Sequence, residues 1–209
     1  MAVARLPIAG LALALLSCGP HGATFDGDGD DTARFQAGGE ETARAPVTIS
    51  FIGTNDLHGH ISALPLLAGY VENLRRVRRG DGGAVLLIDA GDMFQGTLES
   101  NLVEGASVIA AMNALEYTAA AVGNHEFDFG PVGAATTPSG DGDDPRGALI
   151  ARAAEARFPL LTANLLVAET GDRVAWHDNM PPTRLVDIAG VQIGIIGLTT
   201  AETLRTTIS

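Results

Sequence analysis

Lysine does not occur in this sequence, and cysteine occurs once. All thirteen basic residues are arginine, set against 25 Asp and Glu, for a formal net charge of −12. A surface this acidic disfavours non-specific contact with nucleic acid polymers and with anionic membrane. It still admits a small polyanionic substrate wherever a local cation neutralises the charge. With Cys18 the only thiol, no internal disulfide can form. Long apolar runs are scarce too, and the stretch from Leu6 to Leu16 is too short to span a bilayer as a mature helix. Aromatic residues are few at 5%, yet apolar residues reach 46%, which excludes disorder along the whole length. The 209 residues can hold one full-sized domain or part of a larger one.

The first residues read as an address. "MAVARLPIAGLALALLSCG" carries one charge, Arg5, then the apolar stretch, then small residues, the pattern of a secretory signal over residues 1–18. Cys18 in "LLSC" resembles the lipidated first residue of a bacterial lipoprotein. Leu16 is bulkier than that pattern prefers, so ordinary cleavage a few residues later is the alternative. Either route takes the protein out of the cytoplasm, and loss of Arg5 makes the mature charge −12 − 1 = −13. Residues 19–46, rich in Gly and Asp and without an apolar period, read as a flexible tether. "DGDGDD" fails as a calcium loop: counted from Asp26, the glycine position holds Asp31 and the bidentate Glu position holds Ala37.

After residue 46 the pattern changes. "VTISFIG" (47–53), "AVLLIDAG" (84–91), "TAAAVG" (118–123) and "FPLLTANLL" (158–166) predict strands, the second buried on both faces. Between them, helices are predicted over about Leu64 to Arg79, Leu98 to Leu115 and 147–157, and "TRLVDIAGVQIGIIGL" predicts a hairpin around Ala189-Gly190. Strands alternating with helices predict an α/β layered domain. The arginines of "RRVRR" (75–79) fit the last turn of a helix ended by Gly80, where positive charge complements the dipole.

Three polar clusters share one position, each directly after a predicted buried strand. Asp56 and His58 follow the first, Asp92 the second, and Asn124 and His125 the third. In open α/β sheets ligand sites form where the loops at the carboxyl ends of strands converge. Carboxylates brought together in a crevice repel unless a cation is present. A donor set of carboxylate, amide oxygen and imidazole suits Mn, Zn, Fe or Co. Asp56 and His58 can reach one ion from one extended loop. Asp92 can bridge two ions at the usual spacing of about 3.5–4 Å, and Asn124 can offer its amide oxygen to the second.

"FIGTNDLHGH", "LLIDAGDMFQGT", "AVGNHEFDFG", "LLTANL" and "VQIGIIGLTTAET" together resemble the N-terminal part of the catalytic domain of the secreted bacterial 5′-nucleotidases. That group includes UDP-sugar hydrolases and 2′,3′-cyclic-nucleotide phosphodiesterases, within the calcineurin-like metallophosphoesterases. The resemblance covers residues 47–209. It implies a four-layer α/β/β/α sandwich and a centre of two divalent metal ions acting on nucleotides or other small phosphoesters outside the cytoplasm. It also implies that Asp56, His58, Asp92 and Asn124 are metal ligands, with Asp92 the bridge, and that His125 and Asp128 are the catalytic dyad. Asp128 would orient the imidazole and keep it charged, and His125 would stabilise phosphate charge and help the leaving oxygen depart. Glu126 has no assigned role beyond a hydrogen bond to a nearby amide. His60 could line the site or sit on the surface, Asn164 could support the site from behind, and Asp89 reads as a buried hydrogen-bonding residue.

The resemblance also implies what is missing. Family members complete the centre with a Gly-His and a further His-bearing loop beyond the "GLTT" strand, and they carry a C-terminal substrate-binding domain. After Asp128 this sequence has only His177, in "AWHDNM". The sandwich is therefore expected to be incomplete at its C-terminus. A non-catalytic, surface-tethered binding module that kept the fold is the alternative. Thiosulfate-ester hydrolases share much of the N-terminal pattern.

Overall fold

The computed structural model describes residues 11–14, 45–133 and 135–207. The expected leader (1–18) and tether (19–46) lie outside the described residues, apart from 11–14 and 45–46. Residues Leu11–Ala14 form a short strand, β1. Strands β2 (Ile49–Thr54), β3 (Ala84–Asp89), β4 (Ala119–Ala121) and β5 (Leu160–Leu161) make a parallel sheet in that order. Its register pairs Thr54 with Asp89, Asp89 with Ala120 and Ala121 with Leu161, so the strands end along one edge. That common edge is what lets loops distant in sequence share a site.

Parallel neighbours need crossovers, and helices supply them. α1 (Leu64–Gly80) begins with Pro65 in its first turn, where a missing N–H costs nothing. Leu64, Leu67, Ala68 and Val71, at helical spacing, turn its apolar face onto the sheet. Its arginines are engaged locally: Arg75 donates to the Leu115 carbonyl and pairs with Glu116, Arg78 pairs with Asp81, and Arg79 pairs with Glu72. The predicted helix over 98–115 is instead two, α2 (Leu98–Asn101) and α3 (Ala106–Leu115). The break falls at Gly105, whose φ of 82° and contact with the Phe94 ring admit no side chain. α4 (Gly147–Glu155) completes this layer.

Pleating explains why "AVLLID" reads as one apolar run. Leu87 faces the helices, while Leu86 and Ile88 point the other way, towards Ile193 and Ile195. Those last two residues lie in β7 (Val191–Gly197), which pairs antiparallel with β6 (Thr183–Ile188). Ala189 and Gly190, both at positive φ (52° and 74°), close the hairpin in the left-handed conformation that a two-residue turn requires. β1 runs antiparallel along the other edge of β7. The predicted strand over 158–166 shrinks to β5 because its continuation bonds elsewhere: Thr162 N–H to the Pro181 carbonyl and Ala163 N–H to that of Gly197. A short helix, α5 (Thr203–Thr206), follows β7.

The result is a helical layer, a parallel sheet and a second sheet, which are three of the four layers expected. Among the described residues no outer helical layer covers β6 and β7. None of the described helices is long and apolar enough to cross a membrane.

Candidate metal centre

Beyond the last paired residues of β2 and β3, their loops stay side by side. The N–H groups of Asp56, His58 and Gly59 donate to the carbonyls of Gly91, Asp92 and Met93, each at 3.0 Å. This pairing carries Asp56 and His58 out of the sheet alongside Asp92. It also holds non-glycine residues in the left-handed region, with φ of 51° at Asp56, 44° at His58 and 58° at Asp92. Each such residue stores on the order of 1–2 kcal/mol of strain that the surrounding contacts must offset.

His58 is oriented by its ring: Nδ1 lies 3.2 Å from the Gln95 carbonyl, which leaves Nε2 to face the site, 3.6 Å from Asp56 Oδ1. Asp56 itself is exposed and receives a hydrogen bond from Asn55 Nδ2. Asp92 is buried, and its Oδ1 accepts the His125 N–H at 3.0 Å. Gly123 is what permits that approach, because a Cβ there would overlap the Asp92 carboxylate and its backbone nitrogen.

Residues His125–Phe127 form one turn of 3₁₀ helix, so the side chains of His125 and Asp128 stack on one side. His125 Nδ1 is 2.5 Å from Asp128 Oδ2, and Asp128 is buried. The His125 and His58 rings meet edge to face with centroids 4.6 Å apart. The donor atoms of His58, Asp92 and His125 all lie within 4.8 Å of one another. The His58 imidazole and the Asp92 carboxylate fit a transition-metal ion by donor type, and the His125 imidazole stands beside them.

The expected site residues are thus distributed unevenly. His58, Asp92 and His125 converge, and Asp128 backs His125. Asp56 stands beside His58 but outside the tight group. Asn124 is half-buried at the head of the 3₁₀ turn, with Nδ2 3.5 Å from the Thr206 carbonyl. His60 is exposed and its Nδ1 lies 3.0 Å from the Leu57 carbonyl, so it does not join the cluster. Asn164 exchanges two hydrogen bonds with the Thr199 backbone, while Thr199 Oγ1 donates to the Val122 carbonyl at 2.7 Å. The exit of β7 is thereby tied to the exit of β4, just ahead of Asn124.

Two carboxylates behind the site are fully buried. Asp89 accepts from Thr54 Oγ1 at 2.6 Å and from the Gly91 N–H at 2.8 Å, and Thr54 in turn meets the Tyr117 hydroxyl at 2.9 Å. Burial pushes Asp89 up to about 7 and Tyr117 up to about 12. Glu126 is likewise pushed up to about 7 by burial, with the nearby Asp92 charge adding to it and backbone N–H donors working against it. It accepts hydrogen bonds from four backbone N–H groups. Nothing in the local pattern marks Glu126 for this, since a glutamate in a turn gives no sign of being buried.

No family model matches the chain. It is 33% identical over 164 residues to protein UshA of Yersinia enterocolitica, covering 75% of this chain and 26% of that protein. To a 5′-nucleotidase of Vibrio vulnificus it is 29% identical over 173 residues, covering 79% of this chain and 28% of the relative. Among solved structures, a 5′-nucleotidase precursor from Thermus thermophilus is 30% identical with a TM-score of 0.57, over 76% of this chain and 30% of that one. The chain therefore spans about a quarter of the length of the curated relatives it matches.

Proposed function

Over its matched residues this chain is a member of the 5′-nucleotidase family, and on that premise we propose that residues 47–209 are the N-terminal part of a metallophosphoesterase catalytic domain. Its reaction is the metal-dependent hydrolysis of phosphoesters, with extracytoplasmic nucleotides as substrates. The observation that carries this is the convergence of His58, Asp92 and His125 from three separate strand ends, with their donor atoms within 4.8 Å of one another.

Asp56, His58, Asp92 and Asn124 would hold two divalent ions drawn from Mn, Zn, Co and Fe. Bound there, the ions supply Lewis acidity, lowering the pKa of water and neutralising phosphate charge. The protein's own groups do the rest. Asp92 keeps its carboxylate aimed by the His125 N–H. Asp128 holds His125 through Nδ1, which presents Nε2 to a phosphoryl or leaving-group oxygen. A proton on that Nε2 stabilises charge on the oxygen and can pass to it as it leaves. Residues 1–18 would export the protein, and lipidation of Cys18 would anchor its N-terminus to a membrane. So acidic a surface disfavours a nucleic acid polymer as partner.

The test is hydrolysis of 5′-AMP by the full chain with Mn²⁺ added, together with its metal content by elemental analysis. Bound metal and phosphate release, both lost in Asp92→Asn, support the assignment. Metal content and activity indifferent to Asp92→Asn refute it.

A further inference from the structure

Backbone pairing between β3 and β4 covers only Ile88–Ala119 and Asp89–Ala120. Beyond those pairs the two loops that carry Asp92 and Asn124–His125 have no ladder to hold them together. Two side chains bridge the gap, Asp92 through the His125 N–H and Glu126 through several backbone N–H groups. Glu126 Oε1 accepts the N–H groups of Met93 at 2.7 Å and Phe94 at 3.2 Å, and Oε2 accepts those of Gly123 at 2.6 Å and Asp92 at 3.0 Å. Asp92, Met93 and Phe94 belong to one loop and Gly123 to the other. The residue is 1% exposed, so water cannot take its place.

The arrangement is reciprocal. Asp92 takes the His125 N–H on its side chain, and Glu126, the next residue, takes the Asp92 N–H on its own. Each loop is thereby clasped by a carboxylate belonging to the other. We propose that Glu126 is a positioning residue of the metal centre, a buried clamp that sets Asp92 and His125 in register by binding both loops through four backbone N–H groups. Glutamine has nearly the same shape but cannot replace it: an amide presents one acceptor oxygen and turns an NH₂ group onto donors. This rests on the metal-centre assignment made above, and it adds a residue that touches neither metal nor phosphate.

Two measurements on the full chain test the clamp. In the metal-free protein, hydrogen exchange followed by NMR reports the Asp92, Met93, Phe94 and Gly123 amides. They are expected to be protected in the parent and to lose protection together in Glu126→Gln, while Leu86 and Leu87 in β3 keep theirs. Mn²⁺ affinity, read from the loss of the free-ion EPR signal, is expected to fall roughly 10–100-fold, the usual range for removing a group that orients metal ligands. Ile193→Ala, which weakens the core between the two sheets, serves as the control for stability alone and should leave Mn²⁺ affinity near the parent value. Unchanged exchange or unchanged affinity in Glu126→Gln overturns the proposal, as does an equal loss of affinity in Ile193→Ala. If Glu126→Gln does not fold, Glu126→Asp, one methylene too short to reach both loops, is held to the same criteria. If neither variant folds, Glu126 belongs to the fold alone and the proposal fails. A parent chain that binds no Mn²⁺ sinks the metal centre instead, and amide exchange then decides the clamp by itself.

Discussion

The backbone N–H of His125 donates to Asp92 Oδ1 at 3.0 Å, so the two residues expected at the heart of the site are joined before any ion is considered. One oxygen of Asp92 accepts that N–H, and a carboxylate oxygen of Asp92 lies within 4.8 Å of ring nitrogens of His58 and His125.

Asp92→Asn separates these two duties. An amide oxygen can still accept the His125 N–H, so the melting temperature should stay close to that of the parent. The lost charge should remove most bound metal, which elemental analysis after dialysis against Mn²⁺ will show. Parent-like metal content in Asp92→Asn would remove Asp92 from the ligand set.

Asp128→Asn tests the dyad. The 2.5 Å contact to His125 Nδ1 sets ring orientation and proton position, and an asparagine can turn its NH₂ towards the same nitrogen. Phosphoester hydrolysis should fall by roughly 10²–10⁴ in kcat, the range for losing a positioned acid or base, and His125→Ala should fall comparably. Metal content should persist in Asp128→Asn. An undiminished kcat in either variant would exclude the dyad.

Gly123→Ala tests close approach. The added methyl would overlap the Asp92 carboxylate and nitrogen, forcing the two loops apart. A loss of roughly 1–3 kcal/mol is expected from such overpacking, accompanied by weaker Mn²⁺ binding. Denaturant unfolding and a metal titration measure the two effects. Wild-type values in both would show that the contact yields without consequence.

Asp89 makes stability depend on pH. Burial keeps its proton on until about 7 in the folded chain, whereas an unperturbed aspartate loses it near 3.8. The folded state therefore binds that proton more tightly than the unfolded state. Its contribution is fully present below 3.8 and is lost as the pH rises towards 7. In Asp89→Asn the Thr54 hydroxyl can turn to donate to Tyr117 and accept from the new amide, so the network survives uncharged. Melting curves across this window should slope less with pH in the variant than in the parent. Equal slopes would show that Asp89 ionises freely in the fold.

Much of the architecture was legible because it depends on local periodicity. The buried run at 84–89, the amphipathic helix from Leu64 and the Ala189-Gly190 turn each carry their own pattern, and all three form where expected. The helix predicted over 98–115 is interrupted between Asn101 and Ala106. Its break depends on Gly105 meeting the Phe94 ring, a contact no window of sequence contains. Asp89, expected to be a buried hydrogen-bonding residue, is one. For Glu126 the sequence supports a hydrogen bond to a nearby amide, which the Gly123 N–H supplies, but not the clamp, because the other three donors lie 32 to 34 positions away.

Composition and pattern alone decided that this is an acidic α/β chain with polar clusters at the ends of three strands, since side-chain chemistry and spacing are properties of the string. Which clusters meet was decided by the tertiary structure. Parallel pairing brings His58, Asp92 and His125 together, leaves Asp56 at the margin and places His60 outside. It also makes a clamp of Glu126, because burial and distant backbone donors come into being only when the strands align.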